Sequence, residues 1–240
     1  MESKLLTSKG ILNFISGKEF SLSFKKEGDK VREYIDEISN KFEDKPDIIY
    51  TARQEHTVNV QYCDGKNGED FIYGKIFDKS DGLITDKKKI ALVVKFADCT
   101  PVILYDENKK VLAAVHSGWR GTYGRISEVA INKMINDFSS NPKDIYAYIG
   151  PSIDQDNYEV GRDVYDAFKN FKNRDELFYK KGEKFHLNMI KANLQILLEN
   201  NIPRENIEVS EISTYNSDFL HSARRDKENY GLNSMMVMMK

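Results

Sequence analysis

The chain reads as an α+β protein built on a mixed sheet. Apolar runs of strand length arrive in groups, and stretches with helical periodicity separate only some of them, so strict strand–helix alternation is absent. A hairpin near the centre supports the same class: residues 102–105 and 111–115 are apolar and strand-sized, and the charged run 106–110 joins them. From the N-terminus, Val31, Tyr34, Ile35, Ile38 and Phe42 fall at helical spacing, which predicts an amphipathic helix over 31–42 that covers a sheet. Residues 47–51 and 57–62 predict short strands, and 90–95 a buried one. Beyond the hairpin, 125–138 returns to helical period through Ile126, Val129, Ala130, Met134 and Ile135, and it stops before Ser139-Ser140-Asn141-Pro142. A strand at 145–149, helices at 163–171 and 187–200, and strands at 207–213 and 235–239 follow. The methionine-rich end is expected as a buried strand, because methionine fills irregular core space.

Composition narrows the class of partner. The 36 basic and 38 acidic residues are interspersed at a net charge of −2, which argues against nucleic acid and against a polybasic membrane anchor. No apolar run reaches signal-peptide or membrane length, so a cytoplasmic protein is expected, a monomer or small homo-oligomer acting on a small molecule. With 40% hydrophobic content and no repeat or linker, residues 1–240 are expected to form a single domain. Only Cys63 and Cys99 are present, too few for a disulfide framework. Cys63 is expected as packing.

The chemistry concentrates at the end of the hairpin. A turn symmetric about Asn108 sets Thr100 opposite His116, with Cys99 one step beyond, and opposed residues have Cβ atoms roughly 4.5 to 5.5 Å apart. Cys99 beside His116 is either a catalytic dyad or two thirds of a metal site. His56, at the start of the strand expected over 57–62, completes a His2Cys set, the ligand count of a catalytic zinc centre with one open position. Asp98 is expected to orient a liganding imidazole, or else to be a turn aspartate. The Gly118 to Gly124 turn leads into the helix near Arg125 and, with Arg120, is a candidate phosphate site; an ordinary strand-to-helix turn is the alternative. Arg224 and Arg225 form a late pair whose planar forks suit phosphate or carboxylate, although a solvated pair is the commoner case. Residues 149–153 are expected as a turn and 158–161 as a constrained segment, with a structural role for Tyr158 and Val160.

Six motifs carry a resemblance: Gln54-Glu55-His56, Ala97-Asp98-Cys99-Thr100-Pro101, Ala114 through Gly121, Ile149 through Ile153, Tyr158-Glu159-Val160-Gly161 and Ser222 through Asp226. From residue 47 onward the chain resembles the YfiH-like family, bacterial purine nucleoside phosphorylases earlier described as polyphenol oxidoreductase laccases. That resemblance implies a mixed β-sandwich flanked by helices, a fold shared with some cysteine-type deamidases. It implies zinc, with copper as the other candidate, on His56, Cys99 and His116. It further implies phosphorolysis of adenosine, inosine and methylthioadenosine, with adenosine deamination as a side activity. In this reading Cys99, His116 and Asp98 are catalytic, Glu55 or Asp98 is the acid/base of deamination, and Arg120 and Arg225 bind substrate. Rival readings are a cysteine-type amidase with Cys99 as nucleophile and His116 as base, a copper-dependent polyphenol oxidase, and a metal-stabilised nucleoside sensor. The short segment 14–20, Ser213 and Leu232 depart from the family pattern and bear on substrate range.

Overall fold

The computed structural model describes residues 1–240 and sets two six-stranded mixed sheets face to face. In the first, the strand order is Ile11–Ser16, Asn233–Met239, Ile90–Phe96, Ile48–Ala52, Gly74–Phe77 and Glu69–Phe71. The second runs Ile207–Val209, Ile145–Ile149, Thr100–Asp106, Val111–Ser117, Gly82–Thr85 and Val60–Tyr62. Their inner faces share one core, in which Leu92, Val94, Met235 and Val237 of the first sheet meet Leu83, Ile103, Leu112 and Ala114 of the second.

Helices cover both outer faces. Helix Lys30–Ser39 presents Val31, Ile35 and Ile38 to Ala91, Val93, Met236 and Met238 of the first sheet. Helix Ile126–Phe138 lays Ile126, Ala130, Ile131 and Met134 on Val111, Ala113 and Val115 of the second, beside Leu197 of helix Met189–Glu199. The last strand is therefore buried on both faces, which explains an unbroken apolar run where an alternating pattern would mark a half-exposed strand. Each such side chain contributes roughly 1.5 to 3 kcal/mol when removed from water. A smaller sheet of Glu159–Val160, Lys184–Leu187 and Phe178–Lys181 packs with helix Arg162–Ala167 around a separate aromatic core.

The helix expected at 187–200 begins at Met189, because Leu187 ends a strand and the Asn188 side chain caps the helix by accepting from the Lys191 amide at 2.8 Å. The strand expected over 57–62 is only Val60–Tyr62, since Thr57 and Asn59 bond instead to Asp81 and the Lys79 carbonyl. The hairpin register differs by one residue: Pro101, not Thr100, opposes His116. Asp106 pairs with Val111, so the loop holds four residues and its centre falls between Asn108 and Lys109. Asp106 closes that loop by accepting the amides of Asn108 and Lys109.

Candidate metal centre and cleft

The two sheets are joined by chain crossings at one end of the sandwich, and the candidate ligands sit there. One crossing runs from Ile48–Ala52 to Val60–Tyr62 and carries His56; another runs from Ile90–Phe96 to Thr100–Asp106 and carries Cys99. His116 is the penultimate residue of Val111–Ser117 and shares the inward parity of Leu112 and Ala114. Both crossings turn through left-handed backbone, with φ of 61° at His56 and 82° at Asp98. Such conformations cost about 1 to 3 kcal/mol and collect at functional sites.

The three candidate ligand atoms lie within 4.8 Å of one another. Cys99 Sγ is 3.7 Å from His56 Nε2, and the two imidazole rings meet edge-on with centroids 5.1 Å apart. One step beyond the Thr100–Ser117 pair, Gly118 faces Cys99. A Cβ there would stand 2.6 Å from His56 Cδ2 and 3.0 Å from Cys99 Sγ, so glycine keeps the cradle open. Burial alone would raise the Cys99 thiol, but the neighbouring His116 and His56 bring it down to about 6. Burial alone would lower His116, yet the Cys99 charge and the Asp81 bond push it up to about 9. A thiolate and two imidazoles converging in this way fit zinc, and their donor chemistry also suits copper.

Asp81 organises the cluster. Its Oδ1 accepts from His116 Nδ1 at 2.8 Å and from the His56 amide at 3.0 Å. Oδ2 accepts from the amides of Glu55 and Thr57 and from the Thr57 hydroxyl, at 3.2, 2.7 and 2.9 Å. With Nδ1 engaged, His116 is left with Nε2 for the cluster. Burial works against the Asp81 carboxylate, but the bonds from His116 and Thr57 hold it below its ordinary value. The imidazole-orienting role expected of Asp98 thus belongs to Asp81. Pairing of Gly82 with Val115 carries Asp81 alongside His116, whose amide donates to the Asp81 carbonyl at 2.7 Å. Nothing in the 35-residue separation marks this pair in the sequence. Asp98 instead accepts from the Thr214 hydroxyl at 2.6 Å and the Arg224 amide at 2.7 Å, tying the late loop to the site.

A cleft of about 920 Å³ opens over the cluster, which contributes His56, Cys99 and His116 to its lining. Trp119, Tyr158, Phe71, Tyr73, Phe24 and Tyr230 supply aromatic walls, and Leu22 to Lys25 form a further side. Tyr158, expected to be structural, faces this cleft. Of the late arginine pair it is Arg224 that lines the cleft. Arg225 turns away: Nη1 donates to the carbonyls of Thr214, Tyr215 and Ser217, Nη2 to that of Leu220, and Asp226 pairs with the guanidinium. Arg120 is exposed and stacks on Trp119 at 4.3 Å. The Gly118 to Gly124 turn winds into a short helix, Trp119–Tyr123, and the amides of Thr122, Gly124 and Arg125 are spent on its own carbonyls. Arg125 pairs with Glu128 and Glu199. Glu55 is exposed and lies outside the cleft lining. Cys63 is buried in the shared core, as expected.

Residues 12–240 match the family described as multi-copper polyphenol oxidoreductase laccase. The chain is 32% identical over 218 residues to purine nucleoside phosphorylase YlmD of Bacillus subtilis, covering 88% of this chain and 77% of that protein. It is 38% identical over 149 residues to a purine nucleoside phosphorylase of Bacteroides thetaiotaomicron, covering 60% of this chain and 55% of that protein. Adenosine deaminase RL5, from an unknown prokaryotic organism, is 35% identical over 158 residues, covering 64% of this chain and 58% of that protein. For these last two the matched region spans little more than half of the relative's length. The crystal structure of hypothetical protein YfiH from Bacillus licheniformis superposes with a TM-score of 0.86 at 26% identity, covering 92% of this chain and 85% of that one.

Proposed function

Because the chain belongs to the family described as multi-copper polyphenol oxidoreductase laccase, and its relatives include proteins named purine nucleoside phosphorylase, we propose that it is a zinc-dependent purine nucleoside phosphorylase. Its substrates in this reading are adenosine, inosine and methylthioadenosine with inorganic phosphate, and adenosine deamination is a side activity. The observation that carries the proposal is the His56, Cys99 and His116 cluster in the wall of an aromatic cleft large enough for a nucleoside. Zinc bound there supplies a Lewis acid that polarises an oxygen or activates water.

The chain's own residues supply the rest. The aromatic walls stack a flat purine, and their hydroxyls and the cationic rim keep the cleft selective for a polar ligand. In phosphorolysis a phosphate oxygen bonds to the anomeric carbon, the carbon–nitrogen bond breaks with its electron pair passing to the purine, and the purine takes up a proton. Positioning and charge stabilisation account for most of such a rate enhancement. Asp98 acts as a positioning residue that fixes the Arg224 loop beside the cleft. We place the enzyme in the cytoplasm; no helix is long and apolar enough to cross a membrane.

A second reading is favoured by one observation. Cys99, His116 and Asp81 follow one another as nucleophile, base and orienting carboxylate, the order a cysteine-type amidase needs. A copper oxidase relay is less well supported, because the chain offers a single cluster of metal-binding side chains.

Elemental analysis of purified protein, paired with base release from inosine in the presence and absence of phosphate, tests the proposal. One zinc per chain and a phosphate-dependent yield of phosphorylated ribose are expected. Full zinc occupancy in Cys99→Ala, or equal rates without phosphate, would sink it, and thiol-reagent inactivation of metal-free protein that hydrolyses amides would favour the second reading.

A further inference from the structure

We infer that the Lys95 ammonium is the anchor for the phosphate co-substrate: it is a lysine without a carboxylate partner, set in the wall of the cleft that holds the His56, Cys99 and His116 cluster. The inference rests on the phosphorolysis reading above. Lys95 follows Ala91 and Val93 on the outer face of strand Ile90–Phe96, at the point where the helix cover ends and the cleft begins. Its Nζ donates to the Thr51 hydroxyl at 2.6 Å and to the Ala52 carbonyl at 2.9 Å. An ammonium carries three donors, so one remains uncommitted.

Lys95 is half-buried, and a lysine drawn in from solvent ordinarily finds a carboxylate partner. None of the ion pairs of the chain includes Lys95. The carboxylate whose charge reaches it, Asp81, is already committed to His116 and to the 55–57 segment. Burial accordingly pulls the lysine down to about 8, a shift that a seated anion would reverse. Gln54 fixes the backbone from both sides, donating to the Lys95 carbonyl at 2.6 Å and accepting from its amide at 2.9 Å. The ammonium is thus held in place before any ligand arrives.

The other cations of the cleft are less suited to this role. Arg53 pairs with Asp78 and Glu69. Lys25, Arg224 and Lys227 are exposed, where an ion pair is worth little and attraction serves mainly to steer an anion inward. Asp98 is the single carboxylate in the lining, and both of its oxygens are engaged.

Titration of the zinc-loaded enzyme with inorganic phosphate by calorimetry, in wild type, Lys95→Met and Lys95→Arg, tests the assignment. Lys95→Met should bind phosphate on the order of tenfold to hundredfold more weakly and raise the phosphate KM in step. Its inosine KM and zinc content should stay near wild type, and Lys95→Arg should recover part of the affinity. An unchanged phosphate affinity in Lys95→Met would overturn the anchor while leaving phosphorolysis standing. A wild type that neither binds phosphate nor needs it for base release would remove the reading and the anchor together. Should Lys95→Met fail to fold, labelling of Lys95 by an amine reagent in the wild type decides: phosphate protection supports the anchor, and labelling unaffected by saturating phosphate overturns it.

Discussion

Replacing Asp81 by asparagine separates the two readings of which carboxylate organises the candidate metal centre. The Asp81 carboxylate accepts five hydrogen bonds, two at Oδ1 from His116 Nδ1 and the His56 amide and three at Oδ2 from Glu55 and Thr57. Asparagine keeps one acceptor oxygen and turns an amide NH2 toward donors on the other side. Losing a charge-assisted bond costs about 1.5 to 3 kcal/mol, and a buried donor left unpaired costs about 1 to 3 more. Removing a carboxylate behind one liganding histidine lowers metal affinity about tenfold to hundredfold. Because Asp81 also holds the His56 amide, the upper end of that range is expected. Competition between the protein and a zinc-binding dye near neutral pH measures it, with Asp98→Asn as the control. Asp98 touches Thr214 and Arg224 and no histidine, so its variant should keep wild-type zinc affinity. An Asp81→Asn affinity within about threefold of wild type, or an equal loss in Asp98→Asn, would refute the assignment. The sign of the pH effect follows from the lowered carboxyl. Its stabilisation is present above the unfolded value of 3.8 and lost as the pH falls through the lower folded value, and Asp81→Asn should lose that component of acid sensitivity.

Other outcomes follow from the same geometry. In metal-free protein the Cys99 thiolate absorbance should titrate near pH 6, far below Cys63, whose burial pushes its thiol upward. The lowered Cys99 value contributes stability that is complete above the unfolded value of 9.0 and lost as the pH falls through about 6. The raised His116 value contributes stability that is complete below 6.5 and lost as the pH rises through about 9, so the pair should stabilise the metal-free fold most between those limits, as denaturant melts against Cys99→Ala would show. Gly118→Ala should weaken zinc binding with little change in the melting of metal-free protein, because its Cβ would press on His56 and Cys99. Arg225→Ala should destabilise the fold by about 2 to 4 kcal/mol through the carbonyls it abandons and leave the phosphate KM unchanged; the reverse pattern would restore Arg225 to the cleft.

Local pattern and residue chemistry were enough to determine some of this protein. The helical spacing of Val31, Ile35 and Ile38, the apolar hairpin, and the methionine strand each declare their burial through nearest-neighbour periodicity, and the structure places all three as expected. Cys99, His116 and His56 stood out because few side chains bind soft metals and these fall in motifs with a specific resemblance. Tertiary structure alone decided what completes the site. Asp81 reaches His116 through the short strand Gly82–Thr85, which is too brief to announce itself by pattern. The hairpin register turned on whether Asp106 sits in the loop or in the ladder, a choice made by its hydrogen bonds to Asn108 and Lys109. Arg224 and Arg225 are chemically identical neighbours, and only the fold of their loop sends one to the cleft and the other to four backbone carbonyls. Lys95 merely ends the run 90–95 that predicts a buried strand; that it has no carboxylate opposite is a property of its surroundings, assembled from Thr51, Ala52 and the cleft wall. Periodicity reports which face a residue shares, whereas partners far apart in the chain are chosen by packing, and that choice exists only once the two sheets have closed on each other.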